Sequence, residues 1–208
     1  MTPGKHQAGA SATLRDHLRS ATMAAHDLLD HAMQAASGWQ TRSDYARFLA
    51  LQHAARAPLE TWLADHAPAD LTPPVQTPLL AADLTALGMG LPPACAPFDP
   101  RQTALDPGGR SPAGAALGTA WVLAGSALGN RAIARQVARI GGGAWPAAFL
   151  EDAAMMAFWQ ALRARIDQPA APEEAAGAAH AAEAVFAHFL AATDAKQGAD
   201  TIRESLAS

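Results

Sequence analysis

The sequence predicts an all-α, single-domain, multi-helix bundle, on three observations. Half of the 208 residues are hydrophobic yet only 6% are aromatic, so alanine and leucine, both strong helix formers, carry the burial. Apolar residues recur at the three- and four-residue spacing of helices, and no stretch alternates in the manner of a strand. Proline pairs and a triple glycine break the chain between those periodic segments.

Residues 1–11 are small and polar and are expected to form a flexible N-terminal tail. A first helix fits about 12–36, where Leu14, Leu18, Ala21, Ala25, Leu28, Leu29 and Ala32 share one face and Gly38 follows the end. A second fits about 42–66, capped by Ser43 or Thr41 and stopped before Pro68. A shorter helix, about 76–87, follows the Pro73-Pro74 break. Residues 88–112 are rich in proline and glycine and read as a loop, with a helical turn near Pro100 to Leu105. A long helix fits about 112–140, with Pro112 in its first turn and Gly141 to Gly143 as its stop. Two more fit about 145–167 and 172–194, divided by Pro169 and Pro172. Residues 195–208 are expected to be a tail that frays from Lys196.

Charge and cysteine usage narrow the function. A net charge of −4 gives no general reason to bind nucleic acid. The lone Cys95 excludes an intrachain disulfide, which suits a reducing cytoplasm, and it reads as incidental. No signal-peptide core opens the sequence, so a cytoplasmic location is expected. Residues 111–130 are uncharged over the length of a membrane span but are mostly alanine, glycine and small polar residues. A buried helix, with no membrane, is the expectation there.

That helix holds the most informative pattern. At 100° per residue, Gly114, Gly118, Gly125 and Gly129 fall within an arc of roughly 60°. Each interior glycine costs about 1 kcal/mol relative to alanine. Such a stripe serves either a helix packed very close or a flat ligand lying on bare backbone.

Three histidines, His17, His26 and His31, share the first helix. The apolar arc centres near Ala25, and His26 stands at its edge beside Thr22, Met33 and Arg19, with His17 and His31 farther round. Asp30, four residues on, can orient the His26 ring, and Arg19 can meet an anionic group on the same ligand. Packing at a helix boundary explains the same residues without a ligand. No Cys–Cys pair, His-Glu-x-x-His or Gly-x-Ser-x-Gly motif, or dinuclear acidic array offers another chemistry. One imidazole and a glycine-lined helix suit a haem held between two helices.

Two segments together resemble the haem oxygenases. Leu18-Arg-Ser-Ala-Thr22-Met-Ala-Ala-His26 is similar to the motif that carries the axial ligand in that family's first helix. Gly118-Thr-Ala-Trp-Val-Leu-Ala-Gly-Ser-Ala-Leu-Gly129 is similar to the distal helix of the bacterial, biliverdin-producing branch found beside bacteriophytochromes. The spacing of about 100 residues between them matches too, and the likeness spans about 12–194. It implies heme b as both cofactor and substrate, cleaved at a meso carbon with O2 and reductant to biliverdin, Fe2+ and CO. It implies His26 as the iron ligand and Gly125, Ser126 and Gly129 as the catalytic wall. Arg19, Thr22, Asp30, Trp121, Asn130 and Arg163, with Gly125 and Gly129, would contact the haem, the two arginines meeting propionates.

This chain departs from the pattern at four positions. Asn130 stands where many members have glycine, Trp121 where tyrosine is usual and Met23 where some relatives have a second basic residue. Ser126 stands where animal members have an aspartate that orders the distal waters, although the bacterial branch generally has serine. Arg131, Arg135 and Arg139 form a basic ridge, either complementing the helix dipole or docking an acidic electron donor such as ferredoxin. The same residues would also serve a non-catalytic haem protein for storage, delivery or sensing. A helical interaction module would need the glycines only for packing.

Overall fold

The structure, a computed structural model, describes residues 12–104 and 111–206, with side chains to Asp194 apart from that of Thr103. The expected N-terminal tail and Leu105 lie outside the described residues. Among the described residues six α-helices carry the architecture: α1 (Leu14–Ala36), α2 (Arg42–His66), α3 (Thr77–Ala86), α4 (Pro112–Ile140), α5 (Ala153–Ile166) and α6 (Pro172–Leu206). Short 3-10 turns cover Ala69–Leu71 and Pro100–Thr103, and no strand occurs among the described residues.

The first two helices open identically. Thr13 and Asp16, then Thr41 and Asp44, form capping boxes in which each side chain satisfies the other residue's free N–H. Thr41, not Ser43, is therefore the cap of α2. Helix α2 runs on through Pro58, which cannot donate to the Ala54 carbonyl. That carbonyl accepts instead from the Cys95 N–H at 3.0 Å, and the adjacent Ala55 carbonyl from His188 Nε2 at 3.1 Å. The bridging loop and α6 thus repair the break in α2.

Two expected boundaries differ. The helix expected from 145 begins at Ala153. Pro146 stands in the intervening segment, and the Ala148 and Phe149 N–H groups bond the Asp83 carboxylate at 3.1 and 3.0 Å rather than a helix carbonyl. Tyr45 donates to the Pro146 carbonyl at 2.8 Å, pinning the same segment. At the other end, α6 continues to Leu206 where fraying was expected from Lys196.

Two apolar clusters fill the interior. One joins Tyr45, Leu49, Leu59 and Leu63 of α2 to α3, α4 and α6; the other joins Leu14 and Leu18 of α1 to Leu117, Met155, Trp159 and Ile166. Helix α6 packs along both α4 and α1. Ideal Cβ atoms on Gly114 and Gly118 would lie 2.8 Å from the Glu174 carbonyl oxygen and 2.8 Å from the Ala178 carbonyl carbon. This half of the stripe is filled by α6 backbone.

The buried face of α1 is turned relative to the expectation. Leu14, Leu18, Thr22 and Met33 are buried, whereas Leu28 and Ala21 are exposed. On the helical wheel its centre lies about 40° from Ala25, toward His26. No helix among the described residues is long and apolar enough to cross a membrane.

Candidate functional site

A cavity of about 1170 Å³ opens between α1 and α4, with α2, α5 and α6 completing its walls. Ordinary small-molecule pockets hold ~300–1,000 Å³. This one has room for a large ligand.

Helix α1 brings His26 to the cavity, its side chain 58% exposed and its ring edge-on to Phe186 of α6 at 5.9 Å. Nδ1 lies 3.4 Å from Asp30 Oδ2 and 3.9 Å from Asp27 Oδ1. The nearer carboxylate, of Asp30, favours a proton on Nδ1, which leaves the Nε2 lone pair available to a ligand. His31 bonds the Asp27 carbonyl, and neither it nor His17 lines the cavity. Thr22 is buried on the same wall, but its hydroxyl donates to the Leu18 carbonyl at 2.8 Å and so presents mainly its methyl group.

Helix α4 supplies Trp121, Gly125, Ser126, Gly129 and Asn130. A Cβ on Gly125 would meet only the Trp159 ring, at 3.7 Å, and one on Gly129 nothing within 4 Å. This half of the stripe borders open space. Asn130 is buried and Trp121 half-buried, its indole Nε1 enclosed without a hydrogen-bond partner. Ser126 Oγ donates to the Leu123 carbonyl at 2.7 Å and accepts from Arg56 Nη2 at 2.8 Å.

The cations sort into rim and interior. Arg19 and Arg163 are exposed at the rim. Asp167 faces both Arg163, at 3.8 Å, and Arg15, at 3.2 Å. Arg56, by contrast, is 1% exposed, and burial lowers its guanidinium to about 10 while Glu60 and Asp152 oppose that shift. It remains charged at neutral pH.

Arg15, Arg56, Gln52, Trp159 and Phe186 were not singled out from the sequence, yet all line the cavity. A signal existed for two of them. Gln52 and Arg56 fall in the middle of the stripe formed by Leu49, Leu59 and Leu63, where an apolar residue is expected. Arg131, Arg135 and Arg139 are exposed on α4, and none lines the cavity.

No protein-family model matches the sequence, and no curated protein does. Among solved structures the chain matches the NO- and CO-bound haem oxygenase from Neisseria meningitidis with a TM-score of 0.65. Identity is 21%, over 90% of this chain and 94% of that one. The fold is that of a haem oxygenase.

The residues present fit a haem. Among the described residues no group of three or more His, Cys, Asp or Glu could hold a bare metal ion. The cavity offers the His26 imidazole, apolar and aromatic walls, a wall of unsubstituted backbone and cationic side chains at the rim for acidic substituents.

Proposed function

We propose that the chain is a haem oxygenase, cleaving heme b at a meso carbon to biliverdin, Fe2+ and CO with O2 and reductant. One observation carries this reading. The exposed His26 imidazole, with a carboxylate on Nδ1, opens into the same cavity as the bare backbone of Gly125 and Gly129. The haem, when bound, supplies the iron chemistry that activates O2 and is itself the substrate.

The protein's own residues divide the remaining work. Asp30 would orient the His26 ring and leave Nε2 to hold the iron; a neutral imidazole is a milder donor than a thiolate. Arg19, Arg163 and Arg15 would hold the propionates and so would influence which meso carbon is cut. Gly125 and Gly129 would let the α4 backbone approach the haem closely, and Trp121, Trp159 and Phe186 would exclude bulk water. Thr22 and Asn130 complete the walls. Electrons arrive from a ferredoxin or another reductant docked on the ridge of Arg131, Arg135 and Arg139. The protein works in the cytoplasm, and a bacteriophytochrome takes the biliverdin.

The test is haemin, O2 and reductant added to the purified protein. The Soret band should give way to broad biliverdin absorption, with CO released. A stable Soret band and intact haem on extraction would contradict turnover and leave the non-catalytic haem-binding reading.

A further inference from the structure

Ser126 was expected to be the polar group of the α4 wall, but its hydrogen bonds point elsewhere. Its one proton is committed to the Leu123 carbonyl, and its oxygen receives Arg56 Nη2. The hydroxyl has no proton left for a ligand. The charge belongs to Arg56.

Four observations bear on what that charge does. Arg56 lines the cavity from α2 while being 1% exposed. Its Nε donates to Gln52 Oε1 at 3.1 Å and its guanidinium lies 5.1 Å from the Phe149 ring centroid, so its position is held on two further sides. Its Nη1 is enclosed without a partner. The carboxylates near it are engaged otherwise. Glu60 accepts from the Gln76 and Thr77 N–H groups and the Thr77 hydroxyl, and Asp152 from Gln76 Nε2 and the Ala154 N–H. A buried cation without a salt-bridged counterion is strongly unfavourable. Retaining one on the wall of a ligand cavity is intelligible if an anion arrives there.

We infer that Arg56 is a fixed cationic group for an anionic ligand on the haem face away from His26, and that Ser126 and Gln52 are its positioning residues. This rests on the proposed haem site. At neutral pH Arg56 stays protonated, so it attracts and orders negative charge and ordered water without itself releasing a proton.

Fluoride affinity of the haemin-loaded protein, with neutral imidazole as the control ligand, tests it. Arg56→Met should weaken fluoride about tenfold or more and change imidazole less than about twofold. Ser126→Ala should weaken fluoride by about threefold, through loss of the anchor. Unchanged fluoride affinity in Arg56→Met, or an equal loss for both ligands, would reduce Arg56 to a structural tie between α2 and α4. Should Arg56→Met fail to fold, Arg56→Lys decides: about threefold weaker fluoride is expected from the misplaced ammonium, and wild-type affinity overturns the inference. Failure of the wild-type protein to bind haemin would instead overturn the haem site, and this inference with it.

Discussion

A Cβ on Gly118 would lie 2.8 Å from the Ala178 carbonyl carbon, whereas a Cβ on Gly129 would meet nothing within 4 Å. Both glycines stand on one face of α4, within the arc that also holds Gly114 and Gly125. The first half of the stripe admits α6 so closely that backbone touches backbone, and the second half borders the cavity beside His26. Helical periodicity states which way a residue points but not what waits there. Close packing fills one end of the stripe, and a few turns on, the same helix leaves bare backbone on a cavity.

The sharpest way to break this comparison is alanine at each end. Gly118→Ala forces α6 away and should cost about 3 kcal/mol, lowering the melting temperature of the apoprotein by ~6–12 °C. An unchanged melt would mean that α6 does not pack there. A smaller effect comes from pH, because α6 is tied to α2 through His188. Burial lowers the His188 pKa, more than the Ala55 carbonyl raises it, and burial lowers that of His53 as well. The unfolded chain therefore takes up these protons first. Stability should be full above the ordinary histidine value near 6.5 and fall as pH drops through the lowered values. Melting curves at pH 7.5 and 5 should show that loss, and His188→Gln should make it shallower. A slope identical to wild type would remove His188 from the clamp.

At the open end the sign reverses. Gly129→Ala should stabilise the apoprotein by up to about 1 kcal/mol, the helix-propensity gain, or ~2–4 °C. The same change should weaken haemin binding, since its methyl group enters the cavity. A destabilised apoprotein with normal haemin affinity would assign this half to packing as well. The smallest effect concerns the exterior of α4. Charge reversal at Arg131, Arg135 and Arg139 should slow ferredoxin-driven turnover at low salt and leave haemin affinity alone, and the difference should fade as salt rises.

What the sequence made legible follows the range of the forces involved. Thr13 with Asp16 and Thr41 with Asp44 are local signals, and the helix starts they mark lie within a residue or two of expectation. The start of α5 was not legible, because Asp83, some 65 residues away, takes up the Ala148 and Phe149 N–H groups. The tilt of α1 about its own axis, which turns its buried face toward His26, depends on α6 and could not be read from α1 alone. Arg56 is a different case. Its place among the leucines of α2 marked it as anomalous, but only the fold puts the cavity, Ser126 and Phe149 around it.

The central claim is tested most directly by titrating haemin into the wild-type apoprotein and the His26→Ala variant while recording absorption spectra. Wild type should saturate at one haem per chain with a sharp Soret band, and His26→Ala should lose that band's position and most of the affinity, with exogenous imidazole restoring the spectrum. Identical titrations for the two proteins, or no saturable uptake by wild type, would contradict His26 as the ligand.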